Sequence, residues 1–576
     1  AYIDGNLTVD ESAIANGINK YFVNVGSELE SIIPPSDIDP CSYLRGDYPE
    51  SFYLSPATPV EIFNCINKLK NSAGGHDQLK PEIIKSVAEY ISAPLTHIFN
   101  LCFQQSIFPQ DLKKANVIPI HKTGDPSVFA NFRPISVLPV FSKILERLLH
   151  TRLIKYFDDK NILTSNQYGF RKKFSTEIAL ATTLESITSE LDKRNSIIGI
   201  FLDLKKAFDT VNHQILLRKL YHYGVRGSAN DLLRNYLSHR TQSVVINTNV
   251  SDNEDITCGV PQGSILGPLL FIVYLNDFKH CLSNGFSIMY ADDTNIFISG
   301  NNINTLTDQC NAELDNISKY IQSNRLSLNT GKTQAMIFST NPIIRNAQPQ
   351  IVINRTNIDV VRSISFLGVK IDNSLTWTTH IAYISSKIAK SVGIIKKVSN
   401  VLNRNSLISL YTSLVVPYLN YCNLIWGNAS TCHLNRIHLL QKKAVRTIYE
   451  LPLCAHTARY FVQCNVLNIY DIYKLNCSIF LYKLINNCFP PAFNNEFSNK
   501  IFVFSSDVNF AIPTRTSTNN TLRLPRCRTT LRQKSLTYMS AKLFNEFLSP
   551  LALCESSLSV NCVKSNVTAI LLATYT

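Results

Sequence analysis

Residues Ser287–Ser299, SIMYADDTNIFIS, set two adjacent carboxylates, Asp292 and Asp293, between two short apolar runs. Ile288 to Tyr290 and Ile296 to Ile298 are rich in strand formers, whereas Asp, Thr and Asn are turn residues. The pattern predicts a β-hairpin with the acid pair at its tip. Two carboxylates that converge on one point repel unless a cation lies between them, so the tip has the chemistry of half a metal site. A solvated turn that is merely acidic has the same local sequence. The choice between the two readings falls to the rest of the chain.

At 576 residues the chain exceeds one compact core, and about two to four domains is the usual outcome. With 45% apolar and 17% charged residues it has globular composition, which excludes disorder as the dominant state. Lys and Arg outnumber Asp and Glu by 56 to 42, a net charge of +14, and the pI is near 9.0. That surplus favours a polyanionic partner, nucleic acid ahead of a membrane surface. The 15 cysteines include no Cys-x-x-Cys pair, which sets aside zinc ribbons and knuckles and suggests reduced thiols in an intracellular protein. Cys432-His433 and Cys454-Ala-His456 lack the second ligand pair that zinc requires. No cationic-then-apolar targeting signal opens the chain, which starts at Ala1 as if cut from a longer frame. The most apolar window, LISLYTSLVVPYLNYCNLIW (407–426), is broken by Pro417, Asn420 and Asn423. It predicts a buried helix and a turn, and no membrane partner.

Residues 1–100 have helical patterning with a loop near Pro34–Pro59 and a Gly-Gly turn at 74–75. From 117 to 340 strand and helix signals alternate, and beyond 375 the strand signal fades. There, Trp377, Ile381, Ile384, Ile388, Val392 and Ile395 form one helical stripe, with Lys387, Lys390, Lys396 and Lys397 largely outside it. LNRIHLLQKKAVRTIY repeats the design with Lys442, Lys443 and Arg446.

A partner for the acidic tip lies in IIGIFLDLKKAFDTVNHQILLRKLYHYG (197–224). Ile197 to Leu204 has a buried-strand pattern, with Asp203 near its end and a helix following that carries Val211, Ile215, Leu216 and Leu220 on one side and stops at Gly224. An acid inside an apolar strand is costly unless compensated. Set beside a carboxylate-tipped hairpin, it completes the acid set of a two-metal site.

FLDLKKAFDTVNH, GVPQGSILGPLLFIVYLND, YADD and LSLNTGKTQAMIF follow one another in the order of the blocks of a reverse transcriptase. The chain resembles the polymerase of non-LTR (LINE-type) retrotransposons, notably the jockey and chicken-repeat groups. VIPIHKTGDPSVFANFRPISVLPVFSKILERLL and NQYGFRKKFST resemble that family's fingers, and SFLGVKIDNSLTW its primer-grip turn and entry to the thumb. The resemblance spans essentially the whole chain and is most specific from 101 to 370.

It implies an α+β right hand: a helical N-terminal connector (1–100), fingers and a palm with an antiparallel sheet (101–370), a helical thumb (371–460) and a C-terminal basic region (461–576). The implied function is RNA-directed DNA synthesis with two Mg²⁺, Mn²⁺ being a possible substitute. The partners would be template RNA, primer or target DNA, and dNTPs. The implied catalytic and metal-binding acids are Asp203, Asp292 and Asp293. Lys332 matches a lysine that protonates pyrophosphate, and Lys122 and Arg133 match cations that meet the triphosphate. Phe208 matches the aromatic gate against a ribose 2′-hydroxyl, with a core role at a helix start as its alternative. Gln262 and Gly263 match a turn pressing on the incoming nucleotide. Arg171 and Lys172 are candidates for template backbone contact.

The family's upstream endonuclease has no counterpart in residues 1–100, and a cytoplasmic ribonucleoprotein and the nucleus are the implied locations. Nucleotide cyclases and RNA-templated RNA polymerases also carry palm-hairpin acids, but PQGSILGP and YADD argue against both. An inactive or domesticated copy that only binds nucleic acid is the alternative function. In the tail, Arg515, Arg523, Arg526, Arg528, Arg532, Lys534 and Lys542 are interleaved with Leu522, Leu524, Leu531 and Leu536, with no acid in the interval. This predicts a segment docked on a core whose uncompensated cations track phosphates.

Overall fold

The seven residues Ser196–Leu202 carry no charge, and every one of them is buried. In the computed structural model they form the middle strand of a five-stranded sheet, in the order 359–360, 334–338, 196–202, 293–300 and 286–290. The first pair is parallel and the others antiparallel. The structure describes residues 9–503, 522–548 and 559–575, together with the backbone of two short strands at 2–3 and 6–7.

Side chains alternate across a strand, so the palm sheet feeds two cores. Ile198, Ile200 and Leu202 join Met289, Ile296, Ile298, Ala335 and Ile337 on one face. Ile197 and Phe201 join Ile288, Phe297, Met336 and Phe338 on the other. The first core takes in the helices Val140–Asp159, His213–His222, Leu266–Tyr274 and Ile303–Ser323. The second takes in the helix Thr176–Asp192 and the helical C-terminal half. Burial on both faces is why the central strand is a continuous apolar run and not an alternating one.

A second sheet forms the fingers. Lys114–His121 runs antiparallel to Phe132–Val137 and parallel to Arg240–Ile246. The helix Glu11–Ile32, started by its Asp10 cap, is fastened to this sheet. Asn19 Nδ2 donates to the carbonyls of Gln242 and Asp252, and a Cβ on Gly26 would stand 2.2 Å from the Asp209 carbonyl oxygen. Part of the expected connector is thus a wall of the fingers.

Beyond the hairpin Ser363–Phe366/Val369–Asp372 come helices, beginning with Thr378–Val398, whose Ile381, Ile384, Ile388, Val392 and Ile395 are buried as the stripe predicts. Its main helical partner is Thr431–Ile448. In the tail, Leu522 and Leu536 are buried while Leu524 is exposed. Arg515 lies outside the described residues.

Two local expectations are corrected. The acidic hairpin turns on Ala291 and Asp292 alone, and Asp293, Thr294 and Asn295 belong to the returning strand. The turn is tight because Ala291 adopts a left-handed conformation, φ 57°. Val211 precedes its helix, which begins at His213 under an Asn212 cap.

Candidate active site

Register brings the acids together. Leu202 pairs with Thr294, so Asp203 leaves the central strand beside Asp293, and Asp292 sits at the adjoining turn. Asp203 is held from a third direction. Asn329 Nδ2 donates to its carboxylate at 2.7 Å and the Asn329 amide donates to its carbonyl at 2.8 Å. Asn329 belongs to the quoted block LSLNTGKTQAMIF, yet nothing in its local pattern announced the contact.

Desolvation by the surrounding protein, then repulsion from Asp292 and Asp203, raise the Asp293 carboxyl to about 6. Desolvation also raises Asp292, with repulsion from Asp203 adding to it while Arg133 and Lys122 oppose. This is the charge crowding inferred from the sequence. Among the described residues no three acids, histidines or cysteines stand as a ready metal cage. Asp203 shares one cleft with Asp292 and another with Asp293, and the three carboxylates do not close into one cage. Such an arrangement suits a hard cation that takes one or two carboxylates and completes its shell with water and substrate phosphates.

Two clefts meet at Asp203. The larger, about 560 Å³, is bounded by Asp292, Phe208 and Gln262, by the cations Lys122, Arg133, Lys205, Lys206 and Lys332, and by Tyr21, Val25 and Leu29 of the N-terminal helix. The smaller, about 380 Å³, holds Asp293, Gly331 and Lys332 against Ser365, Phe366 and Leu367 of the following hairpin. Lys332 borders both. Pairing of Ile120 with Arg133 and of His121 with Phe132 places Lys122 and Arg133 at the open end of the finger strands. Lys206 is pushed below its ordinary value by desolvation first, with Asp209 opposing and Lys122, Arg133 and Lys332 adding repulsion. Five cations in one cleft with Asp203 and Asp292 form a receptacle for a polyanion such as a triphosphate.

Phe208 lines this cleft and also stacks on Phe271, with centroids 4.3 Å apart and planes at 23°. Phe208 thus borders the cleft and packs in the core at once. Gln262 Nε2 donates to Asp209 at 2.8 Å, and burial raises that carboxyl to about 6. Gly263 is a correction. Its φ is 122°, and a Cβ there would stand 2.5 Å from the Ser136 carbonyl oxygen, so the close approach is to the finger strand and not to the cleft. The Ser136 amide donates to the Gln262 carbonyl at 2.7 Å, and Glu146 accepts from the amides of Ile265 and Leu266 where the next helix begins. Tyr21, Lys206, Asp209 and Asn329 are site residues that the sequence reading missed. Tyr21 enters from another part of the chain, whereas Lys206 and Asp209 stood inside the FLDLKKAFDTVNH block.

The candidate nucleic-acid cations divide. Arg171 donates to the Thr164 carbonyl at 2.6 Å and lies 4.4 Å from the Phe174 ring centroid, so it braces its own loop, while Lys172 is exposed. Arg526 and Arg528 are exposed and Arg523 is half-buried. Arg532 is the clear correction. Its guanidinium meets Glu185 at 2.7 Å with side-chain exposures of 12% and 1%, so it is compensated and turned inward.

A family model described as reverse transcriptase (RNA-dependent DNA polymerase) matches residues 120–371. The RNA-directed DNA polymerase from mobile element jockey of Drosophila melanogaster is 30% identical over 451 residues, 76% of this chain and 48% of that protein. The probable RNA-directed DNA polymerase from transposon X-element of the same organism is 28% identical over 408 residues, 69% of this chain and 44% of that protein. The corresponding protein of transposon BS is 28% identical over 421 residues, 69% and 45% of the two chains. The chain thus spans less than half the length of these relatives. Residues 120–371, which include Asp203, Asp292 and Asp293, thus form a reverse transcriptase domain, and the chain around it is similar to the RNA-directed DNA polymerases of the jockey, X and BS elements.

Proposed function

We propose that this chain extends a DNA primer along an RNA template, joining a 3′-hydroxyl to the α-phosphate of a dNTP and releasing pyrophosphate. The observation that carries the reading is the meeting of two clefts at Asp203, one ringed by cations and one backed by the 363–372 hairpin. The first suits the triphosphate and the second the primer terminus. Asp203 and Asp292 would hold Mg²⁺ toward the nucleotide, and Asp203 and Asp293 toward the primer. When bound, the divalent ions supply Lewis-acid activation of the hydroxyl and neutralise charge on the departing pyrophosphate.

The chain's own side chains do the rest. Lys122 and Arg133 bind the triphosphate, Lys332 gives a proton to the leaving pyrophosphate, and Gln262, held by Asp209, borders the sugar and base. By kinship the natural setting is an element ribonucleoprotein and target-primed synthesis in the nucleus. No helix among the described residues is long and apolar enough to cross a membrane. The deciding experiment is primer extension on matched RNA and DNA templates with the purified chain. Absence of dNTP incorporation on RNA would overturn the reading.

Two further outcomes follow from the geometry. Phe208→Val should raise the rNTP-to-dNTP incorporation ratio about 10–200-fold, the range that one methylene-sized difference in a pocket sets. Val keeps apolar bulk against Phe271, which limits the core cost. An unchanged ratio would leave Phe208 only its packing role. Asn329→Ala should lower turnover about 10–100-fold, as loss of a residue that orients a ligating group does. Turnover equal to wild type would show that Asp203 needs no such brace.

A further inference from the structure

Gln167 lies in the NQYGFRKKFST block, carries no role in the reading above, and is 2% exposed. Its Oε1 accepts from the amides of Gly169 at 2.8 Å and Ala291 at 2.9 Å, and its Nε2 donates to the Ala291 carbonyl at 3.3 Å. One side chain thus engages both backbone polar groups of the residue that precedes Asp292.

Ala291 needs that hold. Its φ of 57° lies in the left-handed region, which strains a residue with a Cβ and which glycine adopts freely. It is also 6% exposed, so water is poorly placed to replace a lost partner on its amide. The segment carrying Gln167 is pinned to the hairpin. The Tyr168 amide donates to the Met289 carbonyl at 2.7 Å, and the Met289 amide to the Asn166 carbonyl at 2.8 Å. Gly169 completes the fit, since a Cβ there would stand 2.4 Å from the Ala291 nitrogen.

We infer that Gln167 is a positioning residue for the acidic hairpin: it holds Ala291 left-handed and so sets where the Asp292 and Asp293 carboxylates point. The inference rests on the polymerase reading of those carboxylates. Without the clamp Ala291 relaxes toward extended backbone, the two-residue turn opens, and the acids leave the two clefts they share with Asp203.

The test compares Gln167→Met, which keeps length and volume without either kind of hydrogen bond, with Gln167→Glu, which keeps the two acceptor bonds. Each is made in the wild-type chain and in Ala291→Gly. Gln167→Met should lower kcat about 10–100-fold with the dNTP KM little changed. Amide exchange in the peptide spanning 286–295 should quicken about tenfold or more. Gln167→Glu should fall between. In the Ala291→Gly background the same Met substitution should cost less than about threefold, because glycine takes positive φ unaided. Equal losses in both backgrounds, or unchanged exchange, would overturn the clamp. The exchange readout does not require catalysis. A wild-type chain that extends no primer defeats the polymerase reading while exchange still judges Gln167.

Discussion

Asp203→Asn and Asp292→Asn are each expected to lower primer extension on the order of a thousandfold while leaving RNA binding and the fold in place, the upper range for deleting one charge-stabilising contact. Asn has the shape of Asp and keeps its hydrogen bonds, so what is lost is the negative charge that faces the cleft. At Asp203 the amide of Asn329 already occupies one carboxylate oxygen, which leaves the other for a cation. Substantial extension by either purified variant would sink the assignment of these acids. The same crowding predicts an opposite effect on stability. Asp293, with its carboxyl raised from 3.8 to about 6, costs the fold nothing below pH 3.8. The cost grows as pH climbs between those values and is complete above about 6, since the unfolded chain gives up the proton first. Asp293→Asn should therefore melt above wild type in metal-free buffer at pH 8. The gap should narrow both at pH 4 and on adding Mg²⁺. A variant melting below wild type at pH 8 would show that the acids are not under strain. Function that holds like charges together at a cost in stability is a common trade at active sites.

What was legible in the sequence was whatever a local period or a local cost could signal. Ser196–Leu202 announced itself as a strand because burial on both faces demands an unbroken apolar run, and Asp203 stood out because an acid there needs a reason. The helical stripe from Ile381 to Ile395 was equally plain, as its 3.6-residue period is set by one buried face. What escaped depends on partners far along the chain. Asn329 reaches Asp203 across 126 positions, and Gln167 reaches Ala291 across 124. The hairpin was expected to have a wide acidic tip because Asp, Thr and Asn favour turns. A distant clamp on Ala291 lets a two-residue turn win, and those residues enter the strand. Gly263 misled in a similar way. A glycine shows that something comes close without showing what, and here it is the Ser136 carbonyl.

The basic tail gives the sharpest contrast between counting charges and placing them. Arg532 Nη2 meets Glu185 at 2.7 Å and its Nη1 donates to Thr188 Oγ1 at 3.1 Å. Thr537 Oγ1 donates to the same carboxylate at 2.7 Å, and about two helical turns further along Asp192 accepts from the amides of Arg528 and Thr529 at 2.9 Å. The segment is therefore latched to the helix Thr176–Asp192, whose other contacts reach the palm sheet. Arg532→Ala would leave the Glu185 carboxylate buried without its charge partner, a change that costs about 3–5 kcal/mol. Arg532→Met together with Glu185→Leu, which removes both charges, should recover most of that loss. Arg526→Ala and Arg528→Ala, at exposed positions, should shift stability by less than about 0.5 kcal/mol. If these arginines track phosphates, each such variant should also make the salt dependence of RNA binding shallower by about one unit of slope. Urea unfolding and binding across a salt series separate the two roles. An Arg532→Ala chain that unfolds with wild type yet loses salt slope would return Arg532 to the nucleic-acid surface; a destabilised chain with its slope intact places it in the latch.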